Sequence, residues 1–199
     1  MHFKKPIYLC LQGPSIKTLE DNVEYFKEHD VLWASLNRFS IVQKGVLDKI
    51  DKKFDIVYCS SKERFSQEYY NLKFFNGTII SNYEIAFYTD IKISILSNYG
   101  YGFSSLFACL ATFLSLGCPA IYLFGADGEA KQTVYYGQDE YKDEDFKART
   151  TSIKTDTVVM NKLFWFLMKY WGIPKGQIVN VCPSSAIECF DKVDIKSLI

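Results

Sequence analysis

The sequence predicts an α/β domain built on a mostly parallel sheet, and three observations carry that prediction. Strand-length apolar runs alternate with stretches of helical spacing along the chain, which gives five or more strands interleaved with helices. Such alternation calls for a sheet covered on both faces. The third observation is the stretch Pro6 to Asp21, where the apolar run Ile7, Tyr8, Leu9, Cys10, Leu11 meets a Gly13-Pro14-Ser15 turn and then a helical pattern. Leu19, Val23 and Phe26 share one face of that helix, so the stretch reads as the opening β-turn-α unit of a nucleotide-binding α/β fold.

The turn has the chemistry of an anion site. Gly13 lacks a Cβ and lets the backbone pass close to a ligand, Pro14 stiffens the corner, and Ser15 adds a hydroxyl. Unpaired N–H groups at a helix start favour a phosphate or carboxylate. The plainer role is simply to end one element and begin the next.

Val31 to Leu36 forms the second predicted strand and ends at Asn37-Arg38-Phe39, where the Asn37 amide can present a donor and an acceptor above the sheet. Asn is also a common turn-former. A helix is expected over about Gln43 to Lys53, with Val46, Leu47 and Ile50 inward, and then a third strand over Phe54 to Cys59, followed by Ser60-Ser61. Lys62 to Phe75 reads as a helix with Phe65, Tyr69, Leu72 and Phe75 as a core stripe. A short strand around Gly77 to Ile80 and two β-rich pieces, AFYT and ISIL, come next.

Gly100 and Gly102 bracket Tyr101, and Ser104-Ser105 opens a helix that Gly117 closes, with Leu106, Cys109, Leu110, Phe113 and Leu114 as its apolar faces. This is a second place where an anion could sit. The strand Ala120 to Phe124 then delivers Gly125-Ala126-Asp127-Gly128, and an aspartate at such a strand end serves chemistry or a turn. Glu129 to Thr151 is polar and longer than an ordinary connection, which suits a lid whose Tyr135, Tyr136 and Tyr141 close over a ligand. Its acidic cluster from Asp139 to Asp145 reads as Mg²⁺ ligands or as a solvated surface. Thr155 or Asp156 caps a helix carrying Val159, Leu163, Phe166, Leu167 and Tyr170; it ends at Gly172, before the strand Gln177 to Val181, Cys182-Pro183-Ser184-Ser185 and a last short helix.

Composition narrows the function classes. At 199 residues the chain fits a single domain, 1–199, with a substantial core, and 48% apolar with 17% aromatic residues argues against disorder. Lys plus Arg and Asp plus Glu are each 23, with no basic block, which argues against a nucleic-acid partner. Six scattered cysteines lack a C-x-x-C pair and stand beside only 2 histidines, so no metal site is read from them and they are expected to be reduced core thiols of a cytoplasmic protein. Phe103 to Phe124 mimics a membrane span, but Gly117 and Pro119 divide it into helix and strand. The aromatic-rich stretch Phe164 to Trp171 has more apolar surface than one face needs, which points to self-association as a homo-oligomer or to a membrane-peripheral surface at the inner face of the membrane.

Four signposts, GPSIK at Gly13 to Lys17, LNRF at Leu36 to Phe39, a glycine-serine helix start leading to IYLFGADG at Ile121 to Gly128, and NVCPSS at Asn180 to Ser185, run in one order. In that order the chain resembles a superfamily of bacterial sialyltransferases using CMP-sialic acid, motility accessory factors linked to flagellin glycosylation, and archaeal 6-hydroxymethylpterin diphosphokinase-like domains. The resemblance spans nearly the whole chain. It implies a single Rossmann-like three-layer domain with a mobile lid (about 129–151) and a cytidine nucleotide at the first loop. Carried over residue by residue, it makes Gln12, Gly13, Pro14, Ser15, Asn37, Ser60, Gly102, Ser104, Ser105, Gly125, Pro183 and Ser184 the nucleotide-binding set, and Asp127, Tyr135 and Tyr136 the catalytic one.

Two positions depart from the family pattern. Leu11 stands where family loops begin with Gly, and the position of the general-base histidine falls at about Thr151, while His2 and His29 lie elsewhere. Threonine cannot deprotonate a hydroxyl near neutral pH, which leaves Asp127 as the candidate base. Three functions follow as expectations. The first is transfer of a CMP-linked acidic sugar from a nucleotide-sugar donor to a glycan or protein acceptor. The second is Mg²⁺-dependent pyrophosphoryl transfer from ATP, and the third a non-catalytic nucleotide- or glycan-sensing module.

Overall fold

The computed structural model describes residues 2–59, 62–81, 91–92, 105–128, 158, 161–162, 165, 168–169 and 172–199. Among these, eight strands form one sheet: β1 Ile7–Cys10, β2 Leu32–Leu36, β3 Ile56–Cys59, β4 Thr78–Ser81, β5 Ile91–Lys92, β6 Ile121–Phe124, β7 Ile178–Asn180 and β8 Asp191–Lys192. Their order is β5-β4-β3-β2-β1-β6-β7-β8, and every pairing is parallel. This is an α/β fold with a Rossmann-like layout, in which the chain builds outward from β1 on one side and then returns to β1 to build outward on the other.

The strands alternate between two cores. Ile7, Leu9, Ala34, Leu36, Ile56, Tyr58, Ile121 and Leu123 face one cluster, which includes Leu106, Cys109, Leu110 and Phe113 of helix α4 (Ser105–Ser115). Tyr8, Cys10, Trp33, Val57 and Cys59 face the other, with residues from α1 (Ile16–Asn22), α2 (Phe39–Gly45) and α3 (Lys62–Leu72). Period-two alternation divides each strand between the cores, and burial on both sides explains why β1 reads as an unbroken apolar run. Phe113 is fully buried and meets Phe3 and Tyr58 edge to face.

The structure corrects several boundaries. Helix α1 tightens into a 3-10 turn at Val23–Phe26, although Leu19, Val23 and Phe26 are all buried as the spacing requires. The helix expected from about Gln43 instead begins at Phe39 and breaks near Val46, whose φ of −119 departs from helical geometry, before a 3-10 turn at Leu47–Ile50. In α3 the expected aromatic stripe is displaced: Leu72 is buried, but Tyr69 is 37% exposed, and Glu68 lies inward with only 3% exposure. Strand β8 was not anticipated. The last short helix is the 3-10 turn Ile195–Ser197, whose Lys196 N–H donates to the Asp194 carboxylate. Gly117 and Gly172, read as helix ends, both have positive φ. All six cysteines are buried and free, as expected of core thiols. No helix among the described residues is long and apolar enough to cross a membrane. AFYT, ISIL, the lid and the cap at Thr155 or Asp156 lie outside the described residues.

Candidate functional site

The strand order reverses between β1 and β6, so the loops leaving their carboxyl ends diverge around a switch point, where open α/β sheets take ligands. Here the loops are bonded to each other. The Leu11 N–H donates to the Phe124 carbonyl at 2.8 Å, and the Gly13 N–H to the Gly125 carbonyl at 2.9 Å. Glycine is required at both crossings. A Cβ on Gly13 would stand 2.0 Å from Asp127 Oδ2 and 2.4 Å from the Gly125 carbonyl, while Gly125 has φ +75.

Asp127 is the centre of the contact. The Ser15 hydroxyl donates to Asp127 Oδ2 at 2.8 Å, and the Ser15 N–H reaches the two carboxylate oxygens at 3.2 and 3.3 Å. Ser15 therefore spends its hydroxyl on a residue 112 positions away and makes no side-chain cap for α1. The Cys182 thiol lies 3.7 Å from Asp127 Oδ1 and 3.6 Å from the Ser184 hydroxyl. The Asp127 carbonyl accepts from the Ala186 N–H at 2.8 Å and from the buried Ser185 hydroxyl at 3.0 Å.

Asn37 reaches the same rim from β2. Its φ of 66 is left-handed, a conformation Asn tolerates well, so turn formation contributes to its identity. Its N–H donates to the Tyr58 carbonyl at 2.7 Å, and the neighbouring Arg38 carbonyl accepts from the Gln12 amide at 3.3 Å. Gln12, Gly13, Pro14, Ser15, Asn37, Gly125 and Asp127 thus occupy adjoining loops on the carboxyl rim. Pro183 and Ser184 stand exposed beyond β7, and Ser105 sits half-buried at the start of α4, against the core opposite α1. Ser60, Gly102, Ser104, Tyr135 and Tyr136 lie outside the described residues.

The amides of Gly13 and Ser15 in the first loop, and those that follow, already have acceptors. Besides those of Gly13 and Ser15, the N–H groups of Ile16, Lys17 and Thr18 donate to the carbonyls of Gly13, Pro14 and Ser15. The carboxylate of Asp127 stands where the sequence placed an external anion, and a phosphate brought to Ser15 would compete with it. A ligand on this rim meets an amide at Gln12, a second at Asn37 and a carboxylate at Asp127.

Several buried polar groups had no role in the sequence reading, Asn180, Ser185 and Glu68 among them. Asn180 is wholly buried, donates to the Ala126 carbonyl at 3.0 Å and leaves its own Oδ1 without a partner among the described residues. Ser185 donates to the Ala126 carbonyl at 2.6 Å. Glu68 accepts from Ser40 and Asn71, each at 2.9 Å. Asn180 and Ser185 belong to the NVCPSS motif, and Glu68 precedes Leu72 by four positions on α3, so motif membership and helical spacing were the available signals. Burial pushes the Cys59 thiol up to about 12, and the nearby Glu68 adds to the rise. No cluster of three or more metal-ligating side chains occurs among the described residues. No protein-family model, curated protein or solved structure matches the chain.

Proposed function

We propose that the chain is a glycosyltransferase-like enzyme that binds a nucleotide-activated sugar, CMP-linked and acidic, and passes the sugar to a surface glycan or protein. The observation that carries this reading is the contact of Ser15 with Asp127, which brings the loops after β1 and β6 together at the switch point of the parallel sheet. In this reading the domain is Rossmann-like and three-layered, with the lid at about 129–151. Gln12 and Asn37 hold the nucleotide, Asp127 accepts the proton of the acceptor hydroxyl, and Tyr135 and Tyr136 meet the phosphate. The acceptor oxygen forms its bond to the anomeric carbon as the bond from that carbon to the phosphate oxygen breaks, and CMP leaves with the electron pair. Because the amides of Gly13 and of Ser15 to Thr18 are engaged, the nucleotide is held chiefly by side chains. Trp165, 67% exposed, supports a peripheral surface that meets a membrane or a second copy.

A non-catalytic nucleotide sensor is the second reading. It is favoured by one observation: Asp127 is already bonded to Ser15, which suits a latch as well as a base. Release of CMP from a CMP-linked acidic sugar, compared between the wild type and Asp127→Asn, separates the two. Transferase function requires release that the substitution abolishes while CMP binding persists; binding without release in either protein selects the sensor. If chelation by EDTA removes nucleotide binding, Mg²⁺-dependent pyrophosphoryl transfer replaces both.

A further inference from the structure

The opposite rim of the sheet holds a feature that the nucleotide reading does not use. The segments entering β2, β3 and β4 leave a groove of about 1240 Å³ between them. Beneath it lies buried aromatic core: Phe39 packs edge-on to Phe54 with centroids 6.5 Å apart and lies 5.3 Å from the half-buried Phe75. Gly77 permits this closeness, because a Cβ there would stand 2.4 Å from the Phe75 ring and 2.4 Å from the Asp55 carbonyl. Phe74 forms a lip and is 78% exposed.

The polar lining is fixed in place. Gln43 donates to Asp48 and to the Lys52 carbonyl, each at 2.7 Å, and accepts from the Phe54 N–H at 3.1 Å. One Asp55 oxygen accepts from the Trp33 N–H at 2.8 Å, and Lys5 pairs with Asp30. His29 lines the groove with its Nδ1 2.6 Å from the Tyr8 hydroxyl. Burial pushes the Tyr8 phenol up to about 12.

We propose that this groove binds a neutral oligosaccharide. Four aspartates stand against three lysines along its walls, so no strong field selects an ion. Sugar hydroxyls both donate and accept, and they match a wall that carries carboxylates beside the ammonium groups of Lys52 and Lys53 and the amide of Asn76. The exposed ring of Phe74, beside the half-buried Phe75, accommodates the C–H face of a pyranose ring. The volume exceeds the roughly 300–1,000 Å³ of ordinary small-molecule pockets, which favours several linked rings over one.

The test is saturation-transfer NMR and calorimetry of the full chain with maltotetraose, chitotetraose and lacto-N-tetraose. At least one tetrasaccharide is expected to bind, with affinity reduced about tenfold by Phe74→Ala and reduced also by Asn76→Ala. Tyr25→Ala, a 60% exposed aromatic outside the groove, and Asp127→Asn on the other rim should leave binding intact, which keeps this result separate from the nucleotide reading. Absence of binding by all three, or binding indifferent to both groove substitutions, overturns the proposal. So does a groove whose substitutions change only co-sedimentation with phosphatidylglycerol vesicles.

Discussion

The two rims of the sheet are built in opposite ways. On the carboxyl rim, glycines at 13 and 125 let two loops cross, and a carboxylate from one is bonded by the hydroxyl and N–H of the other. On the amino rim, phenylalanines and paired charges line an open groove around a polar lining. Backbone that lacks Cβ atoms closes onto itself, whereas bulky rings leave concave space. A single sheet can therefore present a tightly specified corner on one side and a roomy groove on the other.

Both rims rest on a sheet packed dry on its two faces, and the largest expected effect comes from charging that floor. Burial raises the thiols of Cys59 and Cys189 to about 12 and that of Cys118 to about 11, from an ordinary 9.0, and it pushes Cys10 and Cys109 up as well. A raised folded-state value means that stability is complete below about pH 9 and is lost as the pH climbs toward the folded values. At pH 10 the thiols of Cys59, Cys118 and Cys189 should each cost on the order of 1 kcal/mol, about 4 kcal/mol together. Urea unfolding at pH 8 and pH 10 measures this; equal midpoints would show that the floor is wet.

The next effect falls on the carboxyl rim alone. Gly13→Ala places a methyl group against the Gly125 carbonyl and the anchored Asp127, and should lower stability by about 3 kcal/mol in urea unfolding. A loss under about 0.5 kcal/mol would mean that the crossing is loose. Asp127→Asn is milder. It keeps the shape and weakens the charge-assisted bonds from Ser15, for an expected loss of about 1–2 kcal/mol. At the amino rim, Phe74→Ala should change stability by less than about 0.5 kcal/mol. If it cost as much as Gly13→Ala, the contrast between the rims would fail.

How much of this was legible in the sequence depends on how far apart the partners lie. The strand-helix alternation, the Gly13 turn and the Asp127 strand end could be read because each is local: an apolar run, a missing Cβ, a carboxylate beside glycines. That Ser15 and Asp127 bond to each other could not be, since 112 positions separate them and only the return of the chain to β1 brings them together. The same long-range pairing hid β8, whose two residues become a strand only beside β7. Glu68 was passed over because α3 was read through its aromatic residues, and the burial of a carboxylate depends on Ser40 and Asn71 supplying donors. The groove was invisible for a different reason: its lining comes from short segments that share no motif.

The most direct test of the proposed function is a thermal-shift titration of the wild type and Asn37→Gly with CMP, CDP, UDP, GDP and ATP. Glycine tolerates the positive φ at position 37 and removes only the amide. A cytidine nucleotide at about 100 times its Kd should add roughly 2.7 kcal/mol of stability to the wild type, selectively among the five, and far less to Asn37→Gly. Indifference of the wild type to all five, or an equal shift in both proteins, would contradict a nucleotide site on the carboxyl rim.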